Sequence, residues 1–401
     1  MRDTGILSSL LGLSGGWHVS SVDLRIEDGE VRLLVENAGP FECPECGKPC
    51  PLHDHSEERT WRHLDTMQFA TVVVCRVPRS DCKDCGVRRV KVPWAGPKSR
   101  FTLMFERLAI EVLKLTRCQS RAARLLRLSP GQVHDLMSRA VERGLSQREL
   151  GEIEHVSLDE KSFQKGHSYG TVLCDVLEKR VLDVAPGRDE PAAAQALKSI
   201  PQPGMVKTVS MDMSPSYKLA AQTHLPQADV VHDRFHIAMM LGEAVDRTRR
   251  TEIKSRPELK STRYVWLKNP QNCTPYQKAE LEHLLRCELE TAKAYAFEQS
   301  FRLFFECEET DEARRFFSDW VQELMKHDLP HMDKVALALR NNFQELLNYV
   351  KWKVSNGYAE AVDALIQEIK TVARGFRRFE NFRIAILFFL GKLELDPLFS
   401  P

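Results

Sequence analysis

A multidomain α+β chain is predicted by three observations. Two matching cysteine knuckles are flanked by short alternating segments; a helical periodicity follows and ends in a complete capping signal; later, short strands stop at acidic residues. The order read from these is a small β-rich front (1–98), a helical segment (99–150), an α/β core in two parts (151–253 and 351–401), and a helical insertion (254–350) between them. At 401 residues with 43% hydrophobic composition, the chain is long enough for two or three packed domains, and nothing in it reads as disordered.

The front is organised by Cys43-Pro-Glu-Cys46-Gly47 and Cys82-Lys-Asp-Cys85-Gly86. Each knuckle offers two thiolates from a tight turn whose following glycine can take the left-handed conformation, and four thiolates satisfy tetrahedral zinc. Cys50, Cys75, His53 and His55 are nearby competitors without that spacing. Eleven cysteines in a chain with no signal-peptide pattern argue for metal ligation in a cytoplasmic protein rather than for disulfides. No stretch approaches the roughly 20 apolar residues that span a bilayer. His18 to Asn37 alternates around Asp28-Gly29, a hairpin signal, and Met67 to Val77 reads as a strand feeding the second knuckle. The expected result is a zinc ribbon whose own core is thin, so that it depends on structural zinc.

From Phe101 the period becomes helical, with Leu103, Leu108, Val112 and Leu115 marking one helix and Ala122, Ala123, Leu125 and Leu126 a second. Ser129-Pro130-Gly131-Gln132 then supplies an N-cap, a proline at the first helical position and a capping-box glutamine. The helix that follows buries Val133, Leu136, Met137 and Ala140, leaving Gln132, His134, Asp135, Ser138 and Arg139 to face outward. This is the pattern of a helix-turn-helix, whose second helix enters the DNA major groove while Arg121, Arg124 and Arg127 meet phosphates. Charge supports it. The net charge is only +1, yet 86–150 carries 14 basic against 5 acidic residues, and 271–350 carries 9 against 15. A basic front on an acidic rear implies a localised contact with polyanion.

Beyond Leu150 the expected order is a strand from Ile153 ending at Asp159-Glu160, a hairpin (Tyr169 to Val176, Arg180 to Val184), a helix, a strand ending at Asp212, a helix capped by Ser214, and a strand stopping at His232-Asp233. Three strands, helix, strand, helix, strand is the order of an RNase H-like domain, in which the ends of the first and fourth strands lie side by side. That topology brings Asp159 and Asp212 together across 53 residues of sequence. Paired carboxylates suit magnesium or manganese, because two such ions about 4 Å apart stabilise the attacking and leaving oxygens of a phosphoryl displacement.

A third ligand is expected from a helix over Tyr358 to Phe376, whose buried stripe is Val362, Leu365, Ile366, Ile369 and Val372. Glu360 would complete the acidic site and Arg374 would reach the DNA backbone; on periodicity alone Glu360 ranks no higher than Asp363 or Glu368. Asp233 and His236, at the start of the helix after the last strand, either position a ligand or phosphate or serve as helix cap and interior histidine. In the insertion, Arg247, Arg249, Arg250 and Lys254 with Tyr264 and Trp266 offer cations and aromatics that can grip DNA, although such an aromatic pair is also ordinary core.

The motifs Ser157-Leu-Asp-Glu-Lys161, Met211-Asp-Met-Ser-Pro-Ser-Tyr217, His232-Asp-Arg-Phe-His236, Thr262-Arg-Tyr-Val-Trp-Leu-Lys268 and Ser355-Asn-Gly-Tyr-Ala-Glu360 followed by Arg374-Gly-Phe376 resemble the ISL-three family of DDE-type insertion-sequence transposases. The likeness spans nearly the whole chain. It implies that Asp159, Asp212 and Glu360 form a magnesium-binding catalytic triad and that the insertion is helical. It further implies that the protein binds terminal inverted repeats, cuts and joins DNA, and works on DNA as a homodimer or higher assembly, away from membranes. Two other readings of the residues are an RNase H-like nuclease or resolvase, and a DNA-binding regulator derived from a transposase.

Overall fold

The computed structural model describes residues 3–164, 168–268, 270–354 and 357–397, the side chains of 3, 270 and 357–360 excepted. Two compact units are present, Met1–Arg148 together with Leu393–Pro401, and Glu149–Lys392. The last residues thus belong with the front of the chain, whereas the sequence pattern groups them with the core.

The first unit opens with helix α1 (Asp3–Leu10) and strands β1 (Trp17–Arg25) and β2 (Glu30–Asn37). These two strands form the expected antiparallel hairpin. The short pair β3 (Phe41–Glu42) and β4 (Pro49–Cys50) brackets the first knuckle. Then come β5 (Leu52–Arg62), β6 (Ala70–Cys82) and β7 (Gly86–Arg89), giving a sheet of order β1-β2-β6-β5 with β7 also on β6. β5 carries little strand signal in the sequence because its residues are mostly polar or charged and only a few are buried.

The sheet has a core of its own. Trp94 stands edge-on to Trp17 and Trp61 with ring centroids 4.9 and 5.5 Å apart, over Val73, Val77 and Leu33. The thin core expected from the sequence is therefore corrected: what lacks an apolar interior is the knuckle region alone. Three helices complete the unit, α2 (Leu103–Thr116), α3 (Gln119–Leu126) and α4 (Pro130–Ser146). α4 begins with the full Ser129/Gln132 capping box. In α2 the buried stripe is Phe105, Ala109, Ile110 and Leu113, while Leu108 and Leu115 are exposed. Leu103 and Val112, which also mark this helix in the sequence, are half-buried, since leucines line both sides of it.

The second unit holds β8 (His155–Ser162), β9 (Tyr169–Asp175), β10 (Arg180–Pro186), α5 (Glu190–Leu197), β11 (Thr208–Met211), α6 (Pro215–His224) and β12 (Asp229–His232) in the predicted order. The sheet runs β10-β9-β8-β11-β12, antiparallel through β8 and then parallel across β8, β11 and β12. Ala192, Ala193, Ala196, Tyr217, Ala220 and Ala221 of α5 and α6 seal it against Val156, Leu158, Leu173 and Val209. Small residues on the helices let them approach the sheet closely.

Helix α7 (Arg234–Glu252) leads into the predicted helical region: α8 (Arg263–Leu267), α9 (Pro275–Leu285), α10 (Glu290–Phe301), α11 (Thr310–Leu324), α12 (Pro330–Asn341) and α13 (Phe343–Trp352). Its core is strongly aromatic, centred on Phe301, Phe304, Phe317 and Trp320. α13 ties this bundle to the sheet edge: Asn348 donates to the Val230 carbonyl at 2.9 Å, and Trp352 Nε1 and Lys351 Nζ each reach Asp229 at 2.7 Å. The chain then returns through α14 (Gly357–Ala373), which meets β8, and α15 (Phe379–Leu390), which meets β10. Among the described residues no helix is long and apolar enough to cross a membrane.

Candidate functional site

Register brings the first two acids together. β11 runs parallel to β8 with Ser210 level with Ser157, so continuing two residues places Asp212 level with Asp159. Asp159 lies inside β8, paired with Val172 of β9, rather than just past the strand's end. β11 stops at Met211, and Asp212 turns to accept from the Ser214 amide at 3.2 Å as α6 begins. Burial raises the pKa of Asp212, the nearby Asp159 charge adds to that, and His236 and His232 act in the opposite sense.

The third carboxylate at this site among the described side chains is Asp363, on α14. Lys161 Nζ stands 3.1 Å from Asp159 and forms a second, closer ion pair with Asp363. Further along α14, Lys370 donates to the Ser162 carbonyl and holds the helix against β8. Asp363 is pushed up to about 6, first by burial and then by the Asp159 charge. Glu360 occupies the first turn of the same helix, but its side chain lies outside the described residues. The predicted apolar stripe of α14 is observed, with Val362, Ile366 and Ile369 buried and Leu365 and Val372 half-buried. Arg374 stands exposed just past the helix end, at φ 57°.

Asp233 caps α7, accepting from the Phe235 amide at 3.0 Å, and half-buried His236 sits 3.9 Å from its other oxygen. His236 thus lies between the cap and the electrostatic reach of Asp212. Two carboxylates level on neighbouring strands and a third from an overlying helix gather negative charge in one place, and the pKa values of Asp212 and Asp363 are raised. A hard divalent ion would relieve the mutual repulsion, and the donor set fits one.

The zinc ligands converge as expected. Cys43, Cys46, Cys82 and Cys85 have sulfurs all within 4.8 Å of one another, and Cys46 and Cys82 are 3.7 Å apart. Cys82 is lowered to about 6 by the amides of Cys85 and Asp84, and Cys43 is lowered by those of Cys46 and Glu45. Cys85 is pushed up to about 12, chiefly by its hydrogen bond with Cys46. Four thiols so close cannot all ionise without a cation, and zinc supplies it. Cys50 and Cys75 are excluded on position, Cys75 being core on β6 and Cys50 bonding the Lys48 carbonyl; His53 and His55 lie on β5 outside the cluster.

In the helical trio, Arg121, Arg124 and Gln132 are exposed, with Gln132 also engaged in its capping box, and His134 and Ser138 are half-buried. Arg139 is corrected: it turns inward, 3.4 Å from Glu106 and over the Phe101 ring. Glu106 also pairs with Arg143 at 3.4 Å and accepts from Ser99 at 2.8 Å, so this buried carboxylate locks α4 onto α2. Arg127 is partly engaged too, donating to the Gln68 carbonyl at 2.9 Å. On α7, just ahead of the insertion, Arg249 is buried on Asp246 at 2.8 Å and is not free to meet DNA. Trp266 is core, donating to Thr262, whereas Tyr264 is exposed.

Residues 156–386 match the family model of the ISL3 DDE transposases, described as a transposase. Residues 39–85 match the zinc-finger of the transposases of IS204, IS1001, IS1096 and IS1165, and residues 90–141 match the helix-turn-helix domain of transposase family ISL3. The chain is 27% identical to the transposase for insertion sequence element IS1001 of Bordetella parapertussis, covering 96% of this chain and 98% of that one. It is 23% identical to the transposase for insertion sequence element IS1557 of Mycobacterium tuberculosis, over 94% and 93% of the two.

Proposed function

Because the chain belongs to the ISL3 family of transposases, we propose that it binds the terminal inverted repeats of its insertion sequence and catalyses both cleavage of the ends and their transfer into target DNA. The observation that carries this is the meeting of Asp159 with Asp363 of α14 through Lys161, beside Asp212, on the central strands β8 and β11. Asp159 and Asp212 with Glu360 would hold magnesium or manganese, and Asp363, one turn along from Glu360, is a further ligand candidate. Bound there, such ions would supply Lewis-acid activation of the attacking oxygen and stabilisation of the leaving one.

The chain's own residues organise the rest. Lys161 holds Asp159 and Asp363 in one place, and the Asp233 cap and His236 fix the start of α7 beside Asp212. In the first step water attacks the phosphodiester at the element's end and the 3′-oxygen leaves as a free hydroxyl. That hydroxyl then attacks a target phosphodiester, forming one P–O bond as another breaks, so no covalent protein intermediate is needed. The zinc ribbon and helix-turn-helix, with Arg121 and Arg124 foremost and Gln132, His134 and Ser138 along α4, select the ends. Arg374 reaches the backbone near the acids. Pairing two ends requires at least a dimer on DNA, and the protein works in the cytoplasm.

Asp159→Ala and Asp212→Ala are each expected to abolish end cleavage while retaining end binding in a gel-shift assay. Cleavage at the wild-type rate in either variant would overturn the site assignment. Comparing Glu360→Ala with Asp363→Ala identifies which α14 acid the reaction needs.

A further inference from the structure

Outside the acidic site, the strongest unassigned feature is a cleft of about 850 Å³ on the first unit, whose lining includes Arg59, Arg79, Arg89, Lys98 and Arg100. The five cations come from β5, β6, β7 and the segment before α2, so only folding brings them together. Arg79 is neutralised by Asp54. Among the described residues, Arg59, Arg89, Lys98 and Arg100 have no carboxylate partner, and burial together with the charges of Arg89 and Arg100 lowers the pKa of Arg59. Of the two glutamates in the lining, Glu58 is directed to Arg32 at 3.2 Å, and Glu57 forms no ion pair with these four cations among the described residues.

The cleft is also pre-organised. The Arg59 guanidinium lies 4.9 Å over the ring of buried Trp61. The Arg62 amide donates to the Arg100 carbonyl at 2.9 Å, and the Thr102 amide donates to the Arg62 carbonyl at 3.0 Å. These bonds tie the end of β5 to the residue that caps α2. A fold that concentrates like charges in a concavity loses stability unless an anion is supplied from outside. The helical trio differs, since there Arg139 and Arg143 are already neutralised by Glu106.

We propose that this cleft is a second DNA-binding site, in which Arg59, Arg89, Lys98 and Arg100 hold the phosphodiester backbone of the duplex that the helix-turn-helix engages. The inference rests on the DNA-binding reading above and adds a site to it. The residues reach phosphate rather than base edges, so their contribution is to affinity and register and is the same for every sequence.

The test uses the full zinc-loaded chain, a labelled duplex ending in the element's own terminus, and an unrelated duplex of equal length. Arg59→Gln/Arg89→Gln/Arg100→Gln is expected to weaken binding to both duplexes by a similar factor. The slope of log affinity against log salt should fall by about 2–3, at roughly 0.9 for each phosphate that is no longer neutralised. Glu57→Gln, which removes a rim acid, is expected to tighten binding to both. Arg121→Gln/Arg124→Gln serves as the comparison. An unchanged slope and affinity in the triple variant, with DNA binding still abolished in the comparison variant, overturns the cleft and leaves the transposase reading standing. Wild-type protein that binds neither duplex at low salt overturns both. Zinc content and thermal unfolding of the triple variant guard against misfolding; if it is misfolded, Arg89→Gln/Arg100→Gln, which spares the Arg59 packing, must lower the slope by about 2 or the inference fails.

Discussion

Replacing Lys161 with methionine keeps the reach and apolar volume of the side chain and removes the ammonium that bridges Asp159 and Asp363. The side chains of Lys161, Asp159 and Asp363 are only 22%, 19% and 33% exposed. At 3.1 Å and an effective dielectric of about 20, the attraction to Asp159 is worth roughly 5 kcal/mol before costs. Desolvation and the rotamer entropy of a lysine consume most of it, leaving about 1–2 kcal/mol. A divalent cation that binds Asp159 and Asp363 must displace this ammonium, so its affinity is reduced by the same amount. Lys161→Met is therefore expected to bind Mn²⁺ roughly 5–30-fold more tightly, while its metal-free form loses about 1–2 kcal/mol of stability. Isothermal titration of metal-free protein with Mn²⁺, together with thermal unfolding with and without the ion, reads both quantities. Equal or weaker Mn²⁺ binding, with unchanged metal-free stability, would show that Lys161 does not compete for the acids.

Glu106→Ala leaves Arg139 and Arg143 without their buried counter-charge and is expected to cost about 3 kcal/mol in urea unfolding of the first unit and to weaken end binding; a cost under about 0.5 kcal/mol would contradict the lock between α2 and α4. His63, bonded to Thr102 Oγ1 at 2.9 Å, has its pKa lowered to about 4 by burial and by the neighbouring Arg62 charge. The neutral form is favoured in the fold, so its stabilisation is complete above the unfolded value near 6.5 and is lost, by about 3 kcal/mol, as pH falls towards 4. His63→Gln should flatten that part of a stability-against-pH curve, and an undiminished slope counts against it. Cys82→Ser/Cys85→Ser should abolish zinc uptake measured by metal analysis yet spare most of the sheet signal in circular dichroism, because the tryptophan core is independent of the knuckles; loss of the whole sheet would restore the view that zinc holds the module together.

Much of the second unit is legible because its signals are local. Strand, turn and cap residues follow one another in the order β8 to β12, and the parallel placement of β11 beside β8 follows from that order. Less legible is which of two chemically similar faces a helix buries. α2 carries leucines on both sides, so the choice between Leu113 and Leu115 is made by what packs against it. β5 is obscured for a related reason, since charged and polar side chains on a half-buried strand blur the apolar period.

Consecutive residues alone determined the zinc ligand set, the Ser129 and Ser214 caps and the pairing of Asp159 with Asp212. Each depends on spacing or strand order, and both are properties of the linear chain. Only the tertiary structure decided that Asp363 and Lys161 meet at the acids, that Arg139 turns in to Glu106, and that Arg59, Arg89 and Arg100 line one cleft. A charge takes its partner from whatever the fold sets within a few ångströms, and residues separated by 33 positions (Glu106 and Arg139) or by about 200 (Lys161 and Asp363) carry no local mark of that meeting.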